Sequence, residues 1–275
     1  MSIEGWKYYN HAAVPTTAPH EKINFSALKS GEIWSIEGKH PLLIRWVTDF
    51  DCNHETSWWY VIKDNPTTLE QCKKKVRKEI RKADKNFEIK VIDPFEYEED
   101  IKRVYHAAVA GYEKPDVPLF LKQLKKQEDE EWIGAFERET GMLVAYKVGK
   151  LHKDFVEMIT AKVNPEYSAC SPMLALNFYQ IERYINSGLY RYMSNGARTV
   201  LHQTGYNDYL EQKLGFRKAY CKLNIKFRPE IKIAVKGLYP FRKVLKKMDR
   251  FSFIRQVNGI LEMESIRRNF DSKEE

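Results

Sequence analysis

Between residues 131 and 163 the chain alternates between apolar and polar positions, which is typical of strands with one buried face. The pattern predicts strands at Glu131–Arg138, Leu143–Gly149 and Phe155–Val163. The first two are joined by Glu139-Thr140-Gly141, a sequence that suits a hairpin turn. An antiparallel group of strands is therefore predicted in the middle of the chain.

Helical spacing dominates the segments on both sides of these strands. Apolar residues from Leu69 to Phe87 fall on one helical face, and Thr67 and Glu70 have the spacing of a capping box, so a helix is predicted from Thr67. The remaining elements predicted from periodicity are a strand at Ile89–Ile92, helices at Tyr97–Tyr112, Val117–Glu128, Ser171–Asn186 and Asp208–Leu214, and strands at Tyr190–Ser194 and Phe216–Phe227.

The two ends of the chain have a different character. Residues 1–31 are predicted to be irregular, and aromatic-rich strands are predicted at Glu32–Ile36, Pro41–Val47 and Trp58–Ile62. Beyond Pro229 the chain becomes basic and helical. We therefore predict three parts: an N-terminal extension (1–57), a main domain (58–228) and a basic helical tail (229–275).

Composition narrows the class of protein. The net charge of +8 favours an anionic partner, without choosing among a nucleotide cofactor, a nucleic acid and a membrane surface. The four cysteines are scattered along the chain without CxxC spacing, which predicts reduced thiols.

No apolar run approaches the roughly 18 residues of a membrane span, and the first residues lack the apolar region of a signal peptide, so a cytoplasmic location is predicted. The acidic and histidine residues of the loop 48–57 match no known metal-ligand spacing, and no metal site is predicted.

Glu157 is the residue that most strongly suggests chemistry. It is the single acid in the strand FVEMITAKV, where a charge is costly unless the sheet is open at that point. A carboxylate in such a position can accept the proton of an attacking amine. The alternative is a glutamate on the strand surface that pairs with a basic residue.

The order of elements, together with this strand and the turn Glu211-Gln212-Lys213-Leu214-Gly215-Phe216, resembles the GNAT acyltransferase superfamily from about Trp58 to Arg228. The basic stretch from Lys75 to Ala83 after an aromatic strand is similar to FemAB-type proteins, whose GNAT-like domains transfer aminoacyl groups from tRNA. The resemblance implies an α/β (α+β) fold with a mixed, mostly antiparallel sheet flanked by helices. It also implies that Phe155–Val163 and Tyr190–Ser194 diverge to receive an acyl donor, with Glu157 as the general base.

The resemblance also implies where the donor binds, and this sequence departs from the family there. Members that use acetyl-CoA have a glycine-rich loop after the central strand, whereas this chain has Ser168-Ala169-Cys170-Ser171-Pro172-Met173. Ser171 is expected to cap the following helix, with Pro172 in its first position. The expected donor contacts are Val163, Ser168, Ser171, Asn195 and Arg198. The alternative for the last two is a turn built on Asn195-Gly196 with a solvated arginine.

Other roles remain open between alternatives. The usual tyrosine acid of the family is replaced by Glu211, so Tyr206 and Tyr209 are candidate substitutes, and His202 could transfer a proton. The tyrosines are also compatible with packing roles and the histidine with a capping role.

The donor is expected to be acetyl-CoA or another acyl-CoA, with aminoacyl-tRNA as the alternative. The acceptor is expected to be an amine or hydroxyl of a small or cell-envelope-related molecule. A non-catalytic binding module of the same fold is the third alternative.

Two basic segments have a functional and a plain interpretation. Eight basic residues between Lys73 and Lys85 form either a solvated helix face or a surface for tRNA. The basic amphipathic segment from Phe241 to Arg250 either rests on a membrane surface or docks on its own domain. The oligomeric state is not predicted.

Overall fold

The computed structural model describes residues 3–110, 128–200 and 205–271. The chain forms two compact units, and each draws on separate parts of the sequence. The first unit comprises Met1–Tyr60, Ala197–Thr204 and Lys218–Glu275, and the second comprises Val61–Gly196 and Gly205–Arg217. The division at residues 57 and 228 stays a prediction.

The regular elements of the described residues are numbered in chain order. The strands are β1 (Trp6–Tyr9), β2 (Ala12–Pro15), β3 (Leu43–Thr48), β4 (Trp58–Lys63), β5 (Phe87–Ile92), β6 (Glu130–Glu137), β7 (Leu143–Leu151), β8 (Phe155–Val163), β9 (Tyr192–Ala197) and β10 (Arg217–Phe227). The α-helices are α1 (Ser26–Ser30), α2 (Lys74–Asn86), α3 (Glu98–Val109), α4 (Pro172–Gln180), α5 (Tyr206–Leu214), α6 (Pro229–Leu238), α7 (Arg242–Lys246) and α8 (Ser252–Asp271). Shorter 3₁₀ segments are Glu32–Gly38, Pro165–Cys170 and Tyr239–Phe241, and α4 continues as a π-helix over Ile181–Asn186.

The second unit is built on the strand order β9-β8-β7-β6-β5. The β5/β6, β6/β7 and β7/β8 pairs are antiparallel, and β8/β9 is parallel. Helix α3 packs on one face of β7 and β8, whereas α2 and α4 pack together on the other side. The apolar stripe of α2 explains its orientation, because Val76, Ile80 and Ala83 recur at helical spacing and are buried.

The first unit contains the strand order β1-β2-β3-β10. Strands β1 and β2 form a hairpin, β2 and β3 pair in parallel, and β3 pairs antiparallel with β10. Helix α8 covers this unit through Ile266, which joins a core cluster with Trp58, Cys221 and Leu223. The helical character predicted beyond Pro229 is confirmed by α6, α7 and α8.

These observations confirm the predicted fold class, an α+β arrangement with a mixed, mostly antiparallel sheet flanked by helices. The β6/β7 hairpin and the limits of β8 agree with the predicted positions. The cysteines in the described chain are free thiols, as predicted. Among the described helices, none is both long and apolar enough to cross a bilayer. The helix predicted at Val117–Glu128 lies almost entirely outside the described residues.

Two predictions near the N-terminus are wrong. Residues 1–31 are not irregular, because β1 and β2 pair around Asn10 and His11, whose positive φ angles of 46° and 62° make a tight hairpin turn. The segment predicted as the strand Glu32–Ile36 is a 3₁₀ segment. The segment is kinked at Ser35–Glu37, whose φ and ψ angles are not helical, and Ile33 and Ile36 are both fully buried.

The predicted start of α2 at Thr67 is also wrong, since the helix begins at Lys74. The Thr68 N–H donates to the side-chain Oε1 of Gln71 at 2.8 Å, which stabilises a turn that ends before the helix. The capping-box spacing of Thr67 and Glu70 therefore does not mark a helix start.

Candidate active site

The β8/β9 pairing ends at Glu157. The register joins Phe155 to Tyr192, Val156 to Met193 and Glu157 to Ser194, and it goes no further although both strands continue. Successive N–H groups of a strand point to opposite edges, so the β9-facing edge of β8 beyond Glu157 has no β9 partner. We call this opening the β8/β9 gap.

A bulge in β8 lies directly beside this gap. In the β7/β8 register Val148 pairs with Thr160 and Gly149 pairs with Met158, so Ile159 has no partner on β7. A bulge bends its strand and increases the local twist. The bulge therefore supplies a physical reason why β8 leaves β9 one residue after Glu157.

The Glu157 carboxylate is half-buried at the start of the gap. Its Oε2 lies 3.4 Å from Nε2 of His152, and its side chain is 42% exposed. The His152 ring stacks on Phe155 with the ring centroids 4.2 Å apart, and Phe155 stacks in turn on Tyr192. This aromatic stack holds the imidazole beside the carboxylate while leaving the carboxylate accessible.

The two faces of the sheet at this point carry different chemistry. Tyr146 packs in the cluster formed with Ile101 and Val104 of α3, so alternate residues of β7 such as Lys150 share that α3 face. Glu157 is the direct cross-strand partner of Lys150 and lies on the same face. Lys147 has the opposite parity and contacts α4, which defines the α4 face.

A buried polar cluster occupies the α4 face. The Lys147 amine donates to Oδ1 of Asn177, and the Tyr206 hydroxyl donates to the same oxygen at 3.0 Å. Asn177 donates in turn to the backbone oxygen of Met173 at 2.7 Å. Lys147 is 1% exposed and Asn177 is fully buried, so the cluster lies in the interior of the second unit.

Burial sets the protonation of this cluster. Burial lowers the pKa of Lys147 well below its usual value, because no water solvates its charge. Burial also raises the pKa of Tyr206 to about 12, although its hydrogen bond to Asn177 acts in the opposite direction. Tyr206 therefore remains a protonated donor at neutral pH.

One further buried amide lies on the same face. Gln180 is fully buried one turn after Asn177, and neither end of its side-chain amide has a hydrogen-bond partner in the described part of the chain. A Cβ at Gly149 would lie 3.6 Å from its Nε2. Unsatisfied buried amides are rare in folded proteins, and this one increases the polar character of the α4 face.

Sequence reasoning named Tyr206 as a candidate, which stays a prediction, and did not name Lys147 or Asn177. A signal was present for both. Lys147 interrupts the apolar run LVAYKV, and Asn177 interrupts the apolar helix sequence PMLALNFY. A polar residue within an otherwise apolar element is informative because its burial is costly unless it is hydrogen-bonded.

The expected donor loop does not fit the pyrophosphate of an acyl-CoA. Ser168 is exposed in the 3₁₀ segment Pro165–Cys170, and Ser171 has a left-handed φ of 60° and makes no side-chain cap, so the predicted capping role is wrong. Pro172 is in the first helical position, as predicted, and has no N–H. The N–H groups of Leu174 and Ala175 bond to the Ser171 oxygen, so at most one amide of the first turn remains for an anion.

The remaining predicted donor contacts are dispersed. Val163 is the last residue of β8 and pairs with Ala145. Asn195 follows the last paired residue of β9 and donates to Oδ1 of Asn207 at 2.7 Å, which links β9 to the start of α5. His202 lies outside the described residues.

Arg198 belongs to the first unit and has local partners there. Its guanidinium donates to the Ser57 oxygen at 2.6 Å and lies 4.5 Å from the centroid of the Trp59 ring. Burial lowers its pKa, against a nearby Glu262 that raises it. These contacts within the first unit hold the Arg198 side chain in place.

Comparisons with known proteins bear on the fold. No protein-family model matches the sequence, and no curated protein matches it. Among solved structures, the C-terminal domain of a putative lysylphosphatidylglycerol synthetase from Agrobacterium fabrum is similar with a TM-score of 0.52 and 10% identity, over 86% of this chain and 86% of that chain. FemX is similar with a TM-score of 0.57 and 8% identity, over 82% of this chain and 84% of that chain.

The resemblance predicted from the sequence is thereby confirmed as a likeness of fold. The similarity covers more of the chain than the stretch 58–228 in which it was predicted.

Proposed function

We propose that this protein transfers an activated acyl group, held in the β8/β9 gap, to an amine or hydroxyl of an acceptor. The observation that carries the proposal is the end of β8/β9 pairing at Glu157 and Ser194, with the bulge at Ile159 beside it. An opening between two strands in the interior of a sheet leaves backbone N–H groups without strand partners. Such groups are suited to stabilise the oxyanion formed when an ester carbonyl is attacked.

The residues on the two faces of the sheet suggest the roles in the reaction. The acceptor would approach on the α3 face, where the Glu157 carboxylate takes a proton from the attacking nitrogen or oxygen. The new bond forms at the acyl carbon, and the bond from that carbon to the leaving oxygen breaks. Tyr206, on the α4 face, would give its proton to that leaving oxygen, and solvent restores both groups to their initial states. His152 would position Glu157 and does not touch the acyl group.

We propose aminoacyl-tRNA as the donor. The loop 168–173 offers too few free backbone N–H groups to bind the pyrophosphate of CoA. This argues against the acyl-CoA donor that the resemblance to acetyl-CoA-using members implied. Seven of the eight basic residues between Lys73 and Lys85 are exposed, and the eighth is partly exposed, which suits a polyanion. FemAB-type proteins use aminoacyl-tRNA, and the lysyl group in the name of the first structural relative is also an aminoacyl group.

The acceptor is proposed to be an amine or hydroxyl of a cell-envelope molecule. This follows from the FemAB resemblance and from the lipid that the name of the lysylphosphatidylglycerol synthetase contains. Glycan precursors and lipids are both to be tested as acceptors of the labelled amino acid in the transfer assay described next.

The experiment combines binding with a single substitution. Calorimetry with charged tRNA, uncharged tRNA and CoA should give binding to tRNA and none to CoA. Deacylation and transfer of labelled amino acid should then fall by about 100- to 10,000-fold in Glu157→Gln, which is the usual contribution of a general base. The thermal midpoint should change little, because a partly exposed pair such as Glu157–His152 contributes at most about 1 kcal/mol.

The matched control is Glu88→Gln, which neutralises an exposed carboxylate on β5 and should retain full turnover. Undiminished turnover in Glu157→Gln would remove Glu157 from the mechanism. Binding of CoA but not of tRNA would reverse the choice of donor. Binding of neither would leave the non-catalytic module as the explanation of the fold.

A further inference from the structure

The segment from Ile233 to Phe253 exposes an unusual number of apolar side chains. Of the 13 large apolar residues that are exposed in the described chain, 7 lie within this segment. Ile233 is 74% exposed, Phe241 60% and Phe253 73%. The other four are Leu238, Val244, Met248 and Phe251. Single exposed apolar residues are ordinary, but a concentration of them marks an interaction surface.

The same segment is strongly basic. Residues 231–253 contain seven lysines and arginines and a single acid, Asp249. Six of the seven basic residues are exposed, and Arg242 is partly buried. Apolar and cationic side chains therefore alternate on one stretch of helices, which we call the apolar–basic segment (residues 231–253).

The helices of this segment are anchored to their own unit on one side only. Val235 of α6 is 6% exposed, whereas Ile233, about 200° away around the helix, faces solvent. Helix α7 packs on α8, and Asn258 of α8 donates to the Leu245 oxygen at 2.9 Å. The segment is thus held to the first unit by these contacts, while the seven apolar side chains named above remain exposed.

We propose that the apolar–basic segment docks on the surface of a membrane that contains anionic lipids. Phenylalanine and aliphatic side chains would enter the boundary between headgroups and acyl chains, while lysine and arginine contact lipid phosphates. Charge complementarity identifies this occupant. This inference does not depend on the proposed transferase activity.

Two other occupants fit the segment less well. In a symmetric dimer the same patch meets itself, which would bring two strongly positive surfaces together. A nucleic acid would contact the basic residues and the exposed phenylalanines, but it would leave the aliphatic side chains of Ile233, Val244 and Met248 in water, whereas a membrane surface covers them.

Vesicle co-sedimentation of the full-length protein tests the proposal. The protein should bind vesicles made of equal parts phosphatidylcholine and phosphatidylglycerol, and it should not bind vesicles of phosphatidylcholine alone. The charge reversal Lys243→Glu with Lys246→Glu should weaken binding by more than about tenfold, because each basic residue near an anionic surface contributes about 1 kcal/mol. The apolar variant Ile233→Ser with Phe241→Ser should weaken binding by more than about tenfold as well.

Two controls match these variants elsewhere on the surface. Lys22→Glu with Lys29→Glu makes the same change in net charge, and Leu189→Ser removes another exposed apolar residue that is 67% exposed. Both controls should bind anionic vesicles like the unmodified protein. Circular dichroism establishes that every variant is folded.

Several results would overturn the proposal. One is no binding to anionic vesicles by the unmodified protein, and another is equal loss of binding in the controls and in the segment variants. Conversion of a dimer to a monomer by the apolar variant would assign the segment to contacts between copies. Loss of tRNA binding rather than vesicle binding in the charge variant would assign it to nucleic acid. Transferase activity is not measured here, so the result is separate from the fate of the proposed function.

Discussion

Replacing Lys147 with methionine should stabilise the protein. Lys147 is 1% exposed on β7, and its hydrogen-bond partner in the described chain is Oδ1 of Asn177. Tyr206 donates to that same oxygen at 3.0 Å, so removal of the amine leaves the acceptor with a donor. Methionine is unbranched and of similar length, so it can fill the space of the lysine side chain without leaving a cavity.

The magnitude follows from the cost of burying a charge. Replacement of buried ion pairs by apolar residues of similar volume is neutral or stabilising by about 1–4 kcal/mol, and we take the same range for the buried amine of Lys147, whose burial is costly in either protonation state. We expect a gain of this size in the free energy of unfolding of Lys147→Met, measured by urea denaturation. Lys147→Ala is the matched control, because it removes the same charge but leaves a cavity, and it should be less stable than Lys147→Met.

The pH dependence provides a second, independent measurement. The folded-state pKa of Lys147 lies below its unfolded value of 10.5, so between the two values the unfolded chain binds more protons. The stability contributed at this residue therefore rises as pH increases through that window. The advantage of Lys147→Met should be largest near neutral pH and smaller at about pH 10.

Two results would refute this reasoning. One is a lower free energy of unfolding for Lys147→Met than for the unmodified protein at neutral pH. The other is a pH profile of stability that is parallel in the two proteins. If the buried polar cluster serves the transferase, Lys147→Met should lose turnover while gaining stability, since functional residues are often retained at a cost in stability.

Three further predictions concern stability and need only purified variants. Gly134→Ala should lower the free energy of unfolding by about 1–3 kcal/mol, because a Cβ there would meet core side-chain atoms at 2.7, 2.9 and 3.3 Å. Gly237→Ala should instead raise the free energy of unfolding by about 0.5–1 kcal/mol, because Gly237 lies in α6 and no atom is within 4 Å of the added Cβ. Thermal denaturation measures both variants, and an equal effect in the two would contradict both predictions. Burial raises the pKa of Glu264, but hydrogen bonds from Arg267 and Arg268 outweigh it and hold the pKa below the usual value. Its contribution to stability is therefore lost as pH falls through the folded pKa, and Glu264→Gln should show a shallower loss of stability in acid than the unmodified protein.

The sequence by itself determined those elements whose periodicity agrees with their final environment. The alternation in Phe155–Val163 and in the two strands before it predicted β6, β7 and β8 within a few residues, because each has one face to bury. The apolar stripe of α2 was likewise sufficient to place that helix, although not its first turn. At Ile33 and Ile36, a short apolar pair fits more than one backbone geometry, and the sequence could not choose between strand and 3₁₀ turn.

Only the tertiary structure decided the candidate site. Glu157 stood out in the sequence, but the end of β8/β9 pairing depends on a bulge in the neighbouring β7/β8 register, which no local pattern encodes. Two hydrogen bonds, from Lys147 and from Tyr206, converge on Oδ1 of Asn177, although each donor is about 30 residues from Asn177 along the chain. Propensity and periodicity act over a few residues, whereas burial of a charge and convergence of hydrogen bonds depend on how distant segments pack. For that reason the fold was accessible from the sequence, whereas the convergence of Lys147, Asn177 and Tyr206 on the α4 face was not, although the first two stand out as polar residues in apolar elements.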